Sequence, residues 1–285
     1  MELFGNIVDK IKLQKLLFLL SDEQDKPDYH FVPYKFGCYS FTASNDIAVM
    51  SKSGLLLETE KEIQKTIQKS YFDTLKTSDQ KALTNLQTKY AHENKDSIIR
   101  YTYINYPFYA IKSEIAESIL KKEPFYLERI KQSVPKNNGR VLCTIGYQGV
   151  SIEAYLVKLI KNDIKMLVDV RNNPVSMKFG FNKRQLERYC SNVGIKYIHI
   201  PELGINSHER NKLNSPADYE ELFKKYCHQN LRDTLTYQYQ VLEHLRQHQR
   251  IALTCFEADI CQCHRKYLAD AIMKLSNFEY ELKHL

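Results

Sequence analysis

The sequence predicts two domains: an α/β domain over residues 140–285, with a mostly parallel sheet and helices on both faces, and a mainly helical domain over residues 1–132. Three observations lead to this prediction. In the second half, short apolar runs alternate with helical patterns, which is typical of parallel sheets. In the first half, apolar residues recur at spacings of three and four, which is typical of amphipathic helices. Between the halves, residues 133–139 (SVPKNNG) concentrate turn-forming residue types.

Length and composition are those of a globular protein of about two domains, since one domain usually contains about 100–200 residues. The chain has 285 residues, 43% hydrophobic and 26% charged, which excludes collagen-like, low-complexity and wholly disordered classes. The longest apolar run, residues 16–20, is far shorter than the ~18–20 residues of a membrane span. The N-terminus lacks a signal-peptide pattern, and the seven cysteines favour reduced thiols. We therefore expect a cytoplasmic protein with no membrane partner.

The net charge of +7 is unevenly distributed along the chain. Residues 1–135 carry a net charge of +1, whereas residues 136–285 carry +6. Such an excess attracts anionic partners, so it favours a nucleotide or a nucleic acid as the partner of the second domain. An ordinary basic surface is the alternative explanation.

In the first half, the pattern predicts helices and one extended segment. Apolar residues at helical spacing indicate helices over residues 7–20, 60–76, 79–92 and 107–121. Residues 29–40 are rich in aromatic side chains and are interrupted by Pro33 and Gly37. We therefore expect a loop or a bent extended segment there.

In the second half, four strands alternate with helices. The strands are predicted at residues 141–145, 166–170, 196–200 and 251–255. The helices are predicted at residues 152–160, 182–193, 216–230 and 233–248, and a last helix is expected to begin at Cys263 or His264. Open α/β sheets bind ligands at the carboxyl ends of their strands, so the site is expected in the loops over residues 146–150, 170–180, 201–212 and 255–264.

The first two of these loops contain candidate substrate-binding residues. Gly146 and Tyr147 follow the first strand, where a glycine lets the backbone approach a ligand and a helix N-terminus attracts phosphate. Asp169 and Arg171 end the second strand, and Ser176 adds a hydroxyl group. Each feature has a structural alternative, because glycines also serve tight turns and a buried Asp–Arg pair also serves stability.

The loop after the fourth strand, residues 255–265 (CFEADICQCHR), combines three thiols, two carboxylates, an imidazole and a guanidinium. Cys263, His264 and Arg265 are expected in the first turn of the last helix. There the helix dipole and neighbouring cations would lower the pKa of a thiol. Arg265 could instead hold a phosphate or carboxylate through two parallel hydrogen bonds.

Several interpretations of this loop compete. In the favoured one, Glu257 is a general acid or base and Arg265 binds an anion. A phosphatase-type or rhodanese-type loop is excluded, because the arginine that it requires six residues after Cys255 is absent. Zinc is less favoured because the ligand spacing is unusual. A helix start without any chemistry is a further alternative. The candidate zinc ligands are Cys255, Cys261, Cys263 and His264.

The second half resembles the family known as domain of unknown function 488 over residues 140–275. The resemblance rests on Thr144-Ile-Gly146, Val168-Asp-Val-Arg171 with Pro174 and Ser176, Pro201-Glu-Leu-Gly204, and Cys255-x-Glu257 with Cys263-His-Arg265. It implies no established reaction. Two positions depart from the commonest form: Gln148 replaces a serine, and Ile260 replaces a proline. The site that the resemblance implies consists of Asp169, Arg171, Glu257, Cys263, His264 and Arg265.

The first half is similar, over about 60 residues, to the opening of the Panacea (SocA-like) antitoxin family. The similarity rests on Lys12-Leu-Gln-Lys-Leu-Leu17, Pro33-Tyr-Lys-Phe-Gly37, Tyr39-Ser40 and a helix followed by Gly54-Leu-Leu. It implies a small winged-helix module, which presents a helix to DNA or to a protein. The local charge of +1 gives DNA binding no strong electrostatic support, so recognition of a protein is equally open.

The preferred functional hypothesis is an enzyme that acts on a nucleotide or nucleic acid, with the helical domain recognising the substrate or a protein partner. This hypothesis includes no metal ion or organic cofactor. One alternative is a non-catalytic DNA-binding or antitoxin-like regulator that senses a small anionic ligand; a thiol-redox or metal protein is another. A homo-oligomer is compatible with each. The expected catalytic residues are Asp169, Glu257, Cys263 and His264, and the expected substrate-binding residues are Gly146, Tyr147, Arg171, Ser176 and Arg265.

Overall fold

The computed structural model of the chain describes residues 1–210 and 215–285. These residues form two units, Met1–Val134 and Pro135–Leu285. The last two positions of the predicted ligand loop over residues 201–212 lie outside the described residues. None of the helices in the described part of the chain is long and apolar enough to cross a membrane.

The first unit combines six helices with two small antiparallel sheets in its described residues. Ile7–Asp9, Leu56–Glu58 and Glu62–Lys65 form one sheet with Glu62–Lys65 in the centre, and Val32–Tyr34 pairs with Gly37–Tyr39. The strands are β1 (Ile7–Asp9), β2 (Val32–Tyr34), β3 (Gly37–Tyr39), β4 (Leu56–Glu58) and β5 (Glu62–Lys65). The helices are α1 (Lys10–Glu23), α2 (Phe41–Lys52), α3 (Thr77–Tyr90), α4 (Lys95–Asn105), α5 (Ala116–Ile119) and α6 (Pro124–Gln132).

The helix predicted over residues 60–76 is wrong. The segment contains strand β5 and a short 3-10 helix at Phe72–Thr74. Its apolar residues recur every four positions, but of these only Ile63 is buried, where it pairs with Val8 of β1. A distant pairing partner therefore overrides the local helical spacing.

Other elements of the first unit agree with the sequence in part. Helix α3 is confirmed, whereas the helix predicted from residue 7 begins only at Lys10, after strand β1. The side chain of Asp9 accepts hydrogen bonds from the backbone N–H groups of Ile11 and Lys12, which fixes that helix start. The stretch over residues 107–121 contains a 3-10 helix and the four-residue α5 instead of one helix.

The second unit is an α/β structure with a parallel sheet, as predicted, but the sheet has five strands, one more than the sequence predicts. The strands are β6 (Val141–Gly146), β7 (Met166–Asp169), β8 (Lys196–His199), β9 (Arg250–Cys255) and β10 (Glu281–His284). Their order across the sheet is β10–β6–β9–β7–β8. The helices are α7 (Ile152–Lys161), α8 (Lys183–Asn192), α9 (Pro216–Lys225), α10 (Leu231–Asp233), α11 (Leu235–His248) and α12 (His264–Leu275).

The strand order determines which loops become neighbours. Strand β9 comes late in the sequence but lies between β6 and β7 in the sheet. Because the three strands are parallel, the segments that follow them lie side by side at one edge of the sheet. Leu142, Val168 and Leu253, on these three strands, are fully buried. A rigid apolar centre thus supports the edge at which ligands of open α/β sheets bind.

Candidate functional site

Asp169 and Arg171 form a buried ion pair at the end of β7. The Nε atom of Arg171 donates to Oδ1 of Asp169 at 2.8 Å, and its NH1 group donates to the Tyr147 hydroxyl at 2.7 Å and to the carbonyl oxygen of Phe181 at 2.9 Å. The Tyr197 hydroxyl donates to Oδ2 of Asp169 at 2.7 Å. Burial by itself lowers the pKa of the Arg171 guanidinium. The hydrogen bonds and the negative charge of Asp169 raise this pKa by more, so the net pKa is raised. The pair connects the ends of β6 and β7 with Tyr197 of β8 and has a clear structural role.

The segment after Arg171 folds against Tyr147. The ring of Phe181 stacks on that of Tyr147 with 4.3 Å between centroids, and Nζ of Lys178 donates to the Tyr147 carbonyl oxygen at 2.9 Å. The half-buried Ser176 interacts with the Tyr147 hydroxyl. The side chains of Tyr147, Arg171 and Ser176, which the sequence predicts as substrate-binding, are therefore brought together, and their role in substrate binding stays a prediction.

Gly146 meets the backbone of the loop that follows β9. A Cβ atom at position 146 would lie 1.8 Å from the carbonyl oxygen of Glu257. The backbone N–H groups of Tyr147 and Gln148 both donate to the carbonyl oxygen of Phe256, at 3.1 and 2.9 Å. In the structure, the close approach that this glycine permits is to Glu257.

Arg265 holds the same loop from the side of helix α12. Its side chain is 1% exposed and donates to the carbonyl oxygens of Glu257, at 2.6 Å, and Ala258, at 3.2 Å. These hydrogen bonds use the NH1 and NH2 groups of the Arg265 guanidinium, which the sequence predicts to bind an anion. Anion binding by Arg265 stays a prediction, whereas its contact with the loop explains why the residue is buried.

Cys255, Cys263 and His264 form a buried cluster at the centre of this edge. The Sγ atom of Cys255 lies 3.7 Å from Nδ1 of His264, and Sγ of Cys263 lies 4.0 Å from the same nitrogen. The Cys255 thiol donates to the Glu257 carboxylate at 3.1 Å. The sequence predicts Glu257, Cys263 and His264 as catalytic; the structure brings them together and adds Cys255.

The orientation of His264 follows from a contact with another strand. Its Nε2 atom lies 3.2 Å from the carbonyl oxygen of Val170, directly after β7. A carbonyl oxygen only accepts hydrogen bonds, so Nε2 carries a proton, and the Nδ1 atom faces the two thiols. In the neutral imidazole, Nδ1 is the atom that can accept a proton or coordinate a metal ion.

The pKa of Cys263 differs from the sequence-based expectation. The residue is the N-cap of α12, as the helix prediction requires, but it is fully buried. Burial and the adjacent Cys255 raise the pKa of its thiol well above the usual range, and these effects outweigh the charge of Arg265. Cys261, proposed from the sequence as a fourth zinc ligand, is exposed, unlike the clustered thiols.

Phe256 is a site feature that sequence reasoning missed. It lies between Cys255 and Glu257, is 45% exposed, and contacts the edge of the Tyr147 ring at a centroid distance of 5.4 Å. The alternation of side chains along a strand gives the signal: if Cys255 points inward, its neighbour points outward. A large exposed ring beside reactive groups offers a stacking surface.

One family model matches the chain, over residues 151–272. No curated protein and no solved structure matches it. The match includes Asp169, Arg171 and the whole segment over residues 255–265, and it confirms that part of the resemblance predicted over residues 140–275. Residues 151–272, which contain the Cys–His cluster, are therefore similar to the family described as Domain of unknown function DUF488.

Proposed function

We propose that the second unit is the catalytic part of an enzyme that acts on a nucleotide or nucleic acid, with Glu257 as the group that transfers protons. The observation that carries this proposal is the position of the Cys255 thiol between the Glu257 carboxylate, at 3.1 Å, and the His264 imidazole, at 3.7 Å. Proton-transferring groups that meet at the carboxyl ends of parallel strands are typical of active sites in this fold class.

The ring of Phe256 and the charge of this half support the substrate class. Nucleobases stack on exposed aromatic rings, and each such contact contributes about 1–3 kcal/mol. Phe256 is exposed next to Glu257, and residues 136–285 carry a net charge of +6, which attracts phosphate groups.

The seven free cysteines support a reducing location for this enzyme. The buried thiols of Cys255 and Cys263 lie close together without a disulfide bond. Because disulfides persist mainly in oxidising compartments, reduced thiols at the site are consistent with action in the cytoplasm.

The experiment that tests the proposal is a turnover assay of the full chain with a panel of nucleotides, single-stranded DNA and RNA. Glu257→Gln keeps the shape of the side chain and removes its proton-transfer capacity, so we expect the rate to fall by about 10²–10⁴-fold. Asp259→Asn is the matched control. Its carboxylate accepts from the N–H group of Cys261 at 2.8 Å, a contact that asparagine can also make. Equal rates for both variants would remove Glu257 from the mechanism.

For the first unit, we propose a winged-helix-like recognition module. Helix α2 is followed by the antiparallel hairpin β4–β5, and β1 completes a three-stranded sheet on β5. The exposed side chains of α2 include only one cationic residue, Lys52, which favours a protein partner over DNA. Measuring DNA affinity at increasing salt tests this. Strongly salt-sensitive binding without any turnover would support the non-catalytic regulator instead.

A further inference from the structure

We propose that Cys255, Cys263 and His264 bind a zinc ion, leaving a fourth coordination position next to Glu257. The ligand atoms of these three residues lie within 4.8 Å of one another. The involvement of the ion in turnover rests on the function proposed above, whereas its binding does not. The geometry, the support of the ligands and their chemical type each favour this site.

The distances between the ligand atoms fit zinc. With Zn–S bonds of about 2.3 Å and a Zn–N bond of about 2.1 Å in a tetrahedron, a sulfur and a nitrogen ligand are separated by about 3.6 Å. The two Sγ–Nδ1 distances are 3.7 Å for Cys255 and 4.0 Å for Cys263. Both Sγ–Nδ1 distances are therefore within a few tenths of an ångström of the value for tetrahedral zinc, and all three ligand atoms lie within 4.8 Å of one another.

The surroundings hold the ligands as a metal site requires. Metal-binding histidines commonly donate their other ring N–H group to a carbonyl or carboxylate, which fixes the ring. His264 does so to the carbonyl oxygen of Val170, whose own N–H group donates to Thr254 in the sheet. Cys255, Cys263 and His264 are 3%, 0% and 1% exposed, respectively. The three ligands come from a strand end and a helix start, so the backbone positions them before the ion binds.

The donor set selects the kind of ion. Two thiolates and one imidazole favour zinc and disfavour magnesium and calcium, which prefer oxygen ligands. On binding, the thiols of Cys255 and Cys263 release two protons to solvent and two Zn–S bonds form, without any change in oxidation state. Structural zinc sites usually have four protein ligands, whereas three protein ligands and an open position are typical of catalytic zinc.

Glu257 gives the open position a chemical use. Enzymes that deaminate nucleobases hold zinc with cysteine and histidine ligands and use a nearby glutamate, which is not a ligand, to move protons. Here the Glu257 carboxylate lies 3.1 Å from the ligand atom of Cys255. In a hydrolysis at this site, water would give one proton to Glu257, its oxygen would bond to the electrophilic atom of the substrate, and the leaving group would depart with the proton from Glu257.

Zinc and cobalt binding by the reduced full chain test the site directly. When Zn²⁺ is added after chelator treatment and removal of the chelator, we expect the chain to bind about one zinc ion. With Co²⁺, we expect the intense near-ultraviolet bands of cobalt–thiolate bonds and the visible bands of tetrahedral coordination. Absence of stoichiometric zinc, or a cobalt spectrum without thiolate bands, would overturn the proposal, and neither readout depends on substrate or on a variant that might misfold.

Variants then locate the ion. Cys255→Ser and Cys263→Ser are expected to lose the thiolate bands, whereas Cys261→Ser, on the exposed thiol of the same loop, should keep them. Retention of zinc in both Cys255→Ser and Cys263→Ser would place the ion elsewhere and refute the assignment. Glu257→Gln should retain zinc but lose turnover. If this variant retains both zinc and turnover, the proposed function fails while the metal site stands. If turnover depends on Glu257 but the chain binds no zinc, the proposed function stands and the metal site fails.

Discussion

Gly146 and Glu257 lie so close that any side chain at position 146 would overlap the carbonyl oxygen of Glu257: a Cβ atom there would be 1.8 Å away. The contact joins the end of β6 to the loop that carries the proposed proton-transfer group. The guanidinium of Arg265, on helix α12, donates a hydrogen bond of 2.6 Å to the same carbonyl oxygen. The position of Glu257 therefore depends on a glycine that is 111 positions earlier in the chain and on an arginine eight positions later.

Gly146→Ala should displace the loop that contains Glu257. Overpacking of this kind costs about 1–3 kcal/mol, and the shift would weaken both turnover and zinc binding. Thermal unfolding and a zinc titration measure the two effects. Gly149→Ala is the control, because its backbone has a φ of +78° but a Cβ atom there meets nothing within 4 Å. It should lower stability through backbone strain and leave zinc affinity unchanged; equal loss of affinity in both variants would refute the role of the close contact.

Asp169→Asn should strongly destabilise the second unit. The substitution leaves the buried guanidinium of Arg171 without its counter-charge, and removal of one partner of a buried ion pair costs about 3–5 kcal/mol. Urea-induced unfolding, followed by circular dichroism, measures the loss. The comparison is Asp163→Asn, because Asp163 forms an ion pair with the partly exposed Lys165 and should change stability by less than about 1 kcal/mol. Similar losses for both variants would contradict the structural role of the Asp169–Arg171 pair.

The stability of the first unit should fall in acid through Glu2. Burial opposes ionisation of Glu2, but hydrogen bonds from Lys65, Ser70 and the backbone N–H groups of Tyr71 and Phe72 outweigh it and lower its pKa to about 2. Since the folded-state pKa is below the unfolded value of about 4.3, the ionised group stabilises the fold above that pH. This contribution is lost as the pH falls toward 2. The difference in Tm between the wild type and Glu2→Gln should shrink over this range; a constant difference would contradict the assignment.

Phe256→Ala should weaken binding of nucleotides more than binding of inorganic phosphate. Loss of one base–aromatic contact corresponds to about 1–3 kcal/mol, or roughly a 5- to 150-fold increase in Kd. Isothermal titration calorimetry with the nucleotide found in the substrate panel measures this change. Phe256→Tyr retains a ring and should bind almost as the wild type does. If alanine and tyrosine variants bind equally well, the ring does not stack on a base.

The regular elements of the second unit could be predicted because their apolar residues have a local pattern. The four predicted strands are close to β6, β7, β8 and β9. Strands β6, β7 and β9 each contain a short apolar run that is buried in the sheet, whereas the residues of β8 are only partly buried or exposed. The sequence does not predict strand β10, because Glu281–His284 is mostly polar and lies at the sheet edge. In the first unit, β5 was mistaken for a helix because its pairing with β1, about 55 residues earlier in the chain, leaves no local signal.

The candidate site could be predicted in composition but not in its contacts. The sequence indicates that Asp169, Glu257 and His264 end near one another, because all of them follow parallel strands. It does not indicate that Arg171 is held by three separate protein groups, or that the carbonyl oxygen of Val170 orients His264 from 94 positions away. Such contacts depend on the order of strands in the sheet, which is a long-range property of the fold.

Chemical-shift mapping tests whether ligands bind at the carboxyl ends of β6, β7 and β9. Amide spectra of the labelled full chain are recorded while the nucleotide that the enzyme turns over is added. We expect the largest shifts at residues 146–148, 170–180 and 255–265. Shifts confined to the first unit, or to the opposite edge of the sheet around Gly139, Lys165 and Gly194, would contradict it.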